Sequence, residues 1–154
     1  MPRRDSTVTT ATATADRPDR GLRGNVYAVV LLILLQYGLG MWVNLFATIP
    51  KSDQGKGAFA AFGAAVAHGP VGLTLHALLG TLLLLAGLAL LIRAIQTRAT
   101  TPIAASVIGF LALIGAWVNG AMFVGNGANG ASMGMAVSAG VALLCYVSIL
   151  FARR

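Results

Sequence analysis

Apolar residues run through this chain in long blocks that no charged side chain interrupts. Asp, Glu, Lys and Arg are absent from 24–50, from 57–92 and from 99–152. About 20 apolar residues, each rising about 1.5 Å in a helix, cross a hydrocarbon core of about 30 Å. Helix-breaking residues divide the blocks into spans of that size. The first span covers 26–49 and is stopped by Pro50; the second, 71–95, follows the Gly69-Pro70 pair. The third, 102–124, opens on Pro102, which suits a first helical turn because the missing N–H has no intrahelical partner there. The fourth, 131–152, follows the turn-forming stretch GNGANG. The pattern predicts an all-α integral membrane protein, with four transmembrane helices in an up-down bundle over 25–154. Residues 1–24, rich in Thr, Arg, Asp and Pro and lacking an apolar period, predict a disordered cytoplasmic tail. The connection 51–69 is too long for a tight hairpin. Its AFAAFGAAVAHG portion reads either as a short helix at the lipid interface or as an extension of the second span, with Phe59, Phe62 and Val66 on one side.

Composition supports lipid as the surround. Apolar residues make up 57% of the chain and charged residues 10%, too few to furnish each helix with a solvated face. The net charge of +7 raises nucleic acid as a partner, but no basic stripe with interleaved aromatics runs along any helix, so nucleic-acid binding is not expected. The charge instead marks topology. Arg3, Arg4, Arg17, Arg20, Arg23, Arg93, Arg98, Arg153 and Arg154 fall on one side of the bundle, and only Lys51 and Lys56 on the other. The positive-inside rule then puts both termini in the cytoplasm, with the cell membrane as the location. The single cysteine, Cys145, lies within the fourth span and reads as a small buried hydrophobe.

No Asp, Glu, Lys or Arg lies at the centre of a span, which speaks against an ion-coupled pump and removes the paired carboxylates of hydrolytic chemistry. What remains at depth is polar but uncharged. Counted inward from the outer helix ends, Asn44 lies about five residues deep, His76 and Asn119 about six, and Met135 about four. At 1.5 Å per residue all four fall in one layer roughly 6–9 Å inside the outer boundary. Such convergence suits a small-molecule or cofactor site between helices. Interhelical hydrogen bonding and gap filling would use the same residues without any ligand.

Haem b is the cofactor these residue types suggest. Neutral imidazole ligates haem iron axially, which makes His76 the expected ligand, and a thioether is a known second ligand, supplied by Met135 or Met133. Gly80, with Gly72 and Gly87, lies near the His76 face, where a missing Cβ would let a flat macrocycle approach. His68 would stand about 12 Å from His76 on a continuous helix, too far to share one iron. The stretches LHALLGTLLLLAGLALLIRA (75–94) and LLQYGLGMWVNL (34–45), with the four-span spacing after them, resemble one four-helix half of the haem A synthase family. That family pairs two such bundles and holds haem between histidines on the second and fourth helices. The resemblance covers 26–151 and implies a bundle able to hold haem b between His76 and a fourth-helix ligand. Here the fourth helix carries ASMGMAVSAG in place of the family's histidine, so Met133 or Met135 would substitute or the iron would be five-coordinate. Leu73 stands where the family has an acidic residue, so oxidation of a haem methyl group is not implied.

The expected function is haem binding in the outer-leaflet half of the bundle, for electron transfer, haem handling or sensing, with binding favoured over catalysis. Two alternatives differ in kind. The row Gly130, Gly134, Ser138 could dock the chain as an accessory subunit of a larger membrane complex, or several copies could assemble into a small transporter or channel.

Overall fold

The computed structural model describes residues 17–48 and 55–152. The readings that fall on 1–16, 49–54 and 153–154, including most of the tail and both terminal arginine pairs, lie outside them. Five helices follow in order: α1 (Arg17–Phe46), α2 (Ala58–His68), α3 (Val71–Gln96), α4 (Thr100–Asn126) and α5 (Asn129–Phe151). There is no strand among the described residues. Four of the helices, α1, α3, α4 and α5, are long and apolar enough to cross a membrane. They stand in a ring in which α1 packs on α3 and α5, and α4 packs on the same two helices. Adjacent members are antiparallel.

Local chemistry sets where each helix starts and stops. α1 begins at Arg17, so its first two turns extend into the stretch read as tail; Pro18 at its second position needs no intrahelical partner. It ends at Phe46, three residues short of the expected limit. The α3–α4 turn is capped by Thr97, whose hydroxyl donates to the Ala94 carbonyl at 2.7 Å, and Arg98 adopts a left-handed φ of 56°. The GNGANG stretch is mostly helical, leaving Gly127 and Ala128 as the connection between α4 and α5. Gly127 takes φ 64° and its N–H bonds the Phe123 carbonyl, a left-handed helix cap.

α2 is a separate helix, split from α3 by Gly69-Pro70, and it lies across α3 and α4. Its buried face is Ala61 and Ala65, whereas Phe59 is exposed. Small residues let this helix approach closely, and Phe59 and Phe62 instead flank the Trp117 ring of α4 at 5.8 and 5.0 Å between centroids. Two bonds fix its ends. The Gly55 N–H donates to the Gly125 carbonyl, and the Thr74 hydroxyl donates to the Ala65 carbonyl at 2.9 Å. Gly125 is glycine of necessity, since a Cβ there would stand 2.6 Å from the Lys56 carbonyl oxygen.

Burial is concentrated in two apolar clusters. One joins Val26, Ile33, Leu83, Leu90, Leu113, Ala142 and Tyr146 in the half nearer the α3–α4 turn. The other joins Val43, Ala61, Ala65, Leu73 and Val124 beneath α2. Large side chains such as Leu31, Leu85, Leu111 and Leu144 cover the outside. Thr74→Val keeps the shape of the side chain and removes its bond to α2, for a net loss of about 1 kcal/mol. Amide hydrogen exchange over 58–68 is expected to accelerate several-fold in that variant, while exchange in α4 and α5 is unchanged.

Candidate functional site

A partly enclosed cavity of ≈ 140 Å³ lies between the two clusters, with Ile33, Leu83 and Leu113 on one side and Val43, Leu73 and Val124 on the other. Its wall is largely apolar and includes Gln36, Asn44, His76, Trp117, Ser132 and Met135.

The site is built from side chains of one helix seated in glycine notches of its neighbour. On α1, Gln36 precedes Gly40 by one turn; on α3, His76 precedes Gly80 by the same interval. The two helices exchange them. A Cβ on Gly80 would lie 3.0 Å from the Gln36 amide nitrogen, and a Cβ on Gly40 would lie 2.9 Å from Cε1 of His76. In this seat Gln36 Nε2 donates to the His76 carbonyl oxygen at 2.9 Å and stands 3.3 Å from His76 Nε2. α4 and α5 repeat the device. Asn119 sits against Gly134, Met135 sulfur lies 3.2 Å from where a Gly120 Cβ would be, and the Asn119 amide donates to the Gly115 carbonyl at 2.8 Å. Between α1 and α5, the Tyr37 hydroxyl donates to the Ala136 carbonyl, and Ser132 donates to Asn44 Oδ1 at 3.3 Å.

The structure brings His76, Asn44, Met135 and Gly80 to one cavity. It places Asn119 at the α4–α5 contact, outside the cavity lining, and turns Met133 outward, 69% exposed. Gly72 is filled by the Trp42 ring, Gly87 faces Leu113 and Tyr146, and His68 is exposed. Depth along a helix says nothing of direction around it. At about 100° per residue, positions two apart point to nearly opposite sides. Asn119 and Trp117 stand in that relation, as do Met133 and Met135, and in each pair only Trp117 and Met135 line the cavity. Gln36 and Trp117 are the site residues the depth argument passed over. The Gln36/Gly40 and His76/Gly80 spacings are the sequence signal that would have paired α1 with α3.

Haem b can be tested against this geometry. An axial ligand must offer iron a ring-nitrogen lone pair. His76 Nε2 lies 3.3 Å from the Gln36 amide NH2 and accepts from it, so the proton of the neutral ring is on Nδ1 and neither ring nitrogen keeps a free lone pair. As placed, His76 therefore offers haem iron no axial lone pair, and no haem chemistry is derived from the described residues. No group of three or more His, Cys, Asp or Glu able to hold a metal ion occurs among the described residues.

No family model, curated protein or solved structure matches the chain.

Two neighbouring glycines of α1 separate the notch from the general helix. Gly40→Ala drives a methyl into the His76 ring and is expected to cost about 1–3 kcal/mol. Gly38 has open space around its missing Cβ, so Gly38→Ala is expected to be neutral or to stabilise by up to about 1 kcal/mol. Thermal unfolding in detergent, followed by circular dichroism, measures both.

Proposed function

We propose that this chain is a four-span membrane protein that binds a small lipid-soluble molecule in the cavity between its two apolar clusters. In this reading α1, α3, α4 and α5 cross the cell membrane with both termini in the cytoplasm, α2 lies at the outer interface, and the site is in the outer-leaflet half. The observation that carries it is the cavity itself. It lies where uncharged polar side chains gather, and no Asp, Glu, Lys or Arg is on its wall. Its size suits one ring with small substituents.

Binding is favoured over docking by what the small-residue row on α5 already does. Gly134 receives Asn119, and Ser138 Oγ stands 3.3 Å from where a Gly115 Cβ would lie. Two of the three residues that could have received a partner subunit are thus occupied by α4. No carboxylate lines the wall, and the role proposed is binding, carriage or sensing of the ligand.

Topology is tested by cysteine labelling in intact cells. Gly57→Cys, in the connection before α2, is expected to react with a membrane-impermeant maleimide, and Thr100→Cys only after permeabilisation. The reverse pattern would invert the orientation, and labelling of both in intact cells would remove it.

Ligand binding is tested on the full chain in detergent with 1,2,4,5-tetramethylbenzene (durene), an apolar single ring. Saturating ring is expected to raise the unfolding midpoint by several degrees. Ala139→Phe, which enlarges a wall residue, is expected to abolish the rise while leaving the helical content intact. No stabilisation of the parent chain would overturn the reading, and so would a Soret band from protein produced with ample haem, which would establish haem in its place.

A further inference from the structure

Three residues of the cavity wall each keep one buried polar atom without a hydrogen-bond partner: Gln36 Oε1, His76 Nδ1 and Trp117 Nε1. Their roles can be assigned. The His76 carbonyl oxygen only accepts, so the Gln36 atom 2.9 Å from it is the amide NH2. The same NH2 stands 3.3 Å from His76 Nε2, which therefore accepts, and the single proton of a neutral imidazole is left on Nδ1. The indole Nε1–H can only donate. The wall thus holds two unanswered N–H donors, one on α3 and one on α4, and one unanswered acceptor on α1.

Buried N–H groups are costly to leave unpaired, so the missing partner is an acceptor. The other polar side chains of the wall are already engaged, Tyr37 with the Ala136 carbonyl and Ser132 with Asn44. No charged side chain lines the cavity, which selects against an anionic ligand. A neutral ring that carries acceptor oxygens at two separated positions and dissolves in lipid answers both N–H donors.

We propose that the cavity takes the head group of a single-ring quinone, whose two carbonyl oxygens accept from His76 Nδ1–H on α3 and Trp117 Nε1–H on α4. This rests on the reading of the cavity as a ligand site and adds the chemistry of the ligand. The glycine notches have a defined part in it. By seating Gln36 against His76, Gly80 fixes the imidazole tautomer that presents a donor rather than a lone pair. Phe62 and Phe59 hold the indole of Trp117 from the α2 side.

The test compares two rings of matched shape on the full chain in detergent. Duroquinone (tetramethyl-1,4-benzoquinone) carries the two carbonyls, and durene lacks them; the fully methylated quinone leaves the Cys145 thiol no unsubstituted ring position to attack. Dissociation constants are read from the concentration dependence of the unfolding midpoint. Duroquinone is expected to bind at least about tenfold more tightly, the factor that about 1.4 kcal/mol from one added hydrogen bond represents. Trp117→Phe and His76→Phe should each reduce that preference, and Asn119→Ala should preserve it. Equal affinity for the two rings would overturn the quinone inference and leave the cavity reading standing. A preference undiminished in both Trp117→Phe and His76→Phe would overturn it as well, since the carbonyls would then be met elsewhere. Failure of both rings to bind would overturn the cavity reading together with the inference.

Discussion

A helix bundle whose outside is Leu, Val, Ile and Phe offers a polar side chain no partner on that surface, so a buried polar group must be answered from within. In this chain the answers come mainly from backbone carbonyls. Gln36 donates to the His76 carbonyl, Tyr37 to that of Ala136, Thr74 to that of Ala65 and Asn119 to that of Gly115. Helix carbonyls have a second lone pair to give, and a side chain can reach one on a neighbouring helix only if the two backbones come close. That requirement explains the glycines. Gly40 and Gly80 let α1 and α3 approach until Gln36 and His76 interlock, and Gly120 and Gly134 do the same for α4 and α5 with Met135 and Asn119.

Two interlocked pairs, set side by side and capped by α2, leave a gap where their inner faces fail to meet. The gap is bounded by apolar clusters at either end and is not itself filled by a large side chain. It also collects the exceptions to the rule of internal satisfaction. Of the five buried unpartnered side-chain polar atoms found among the described residues, three belong to residues of the cavity wall. The other two, Ser106 Oγ and Tyr146 Oη, belong to side chains packed in the opposite half of the bundle. Packing alone gives no reason to keep a donor-only indole and a histidine beside a void. A ligand that brings acceptors does.

Much of the architecture is legible in the sequence because its signal is coarse. Blocks free of charge, interrupted at Gly69-Pro70, Pro102 and the GNGANG turn, mark α3, α4 and α5 to within a few residues, whereas α1 starts well before its block, at Arg17. The identity of the buried face of α2 was less accessible, since Phe59 and Phe62 carry the stronger apolar signal but only alanine is small enough to lie flush on α3 and α4. The polar layer was legible in depth and not in direction. Asn44, His76 and Met135 line one cavity, while Asn119 and Met133, each two positions from a residue of the wall, face elsewhere. Ligand identity was hardest to read. A histidine and a methionine at one depth suggest a haem iron, whereas the Gln36 amide beside His76 Nε2, which bears on where the imidazole proton sits, comes together with it only in the folded bundle.

The central claim is that the cavity belongs to a small organic ligand. Native mass spectrometry of the chain extracted gently from its own membrane, with nothing added, tests it most directly. The account predicts a population carrying one small neutral adduct, released at low activation energy and absent from Ala139→Phe. Bare chain alone in both proteins, or an adduct of haem mass, would contradict it.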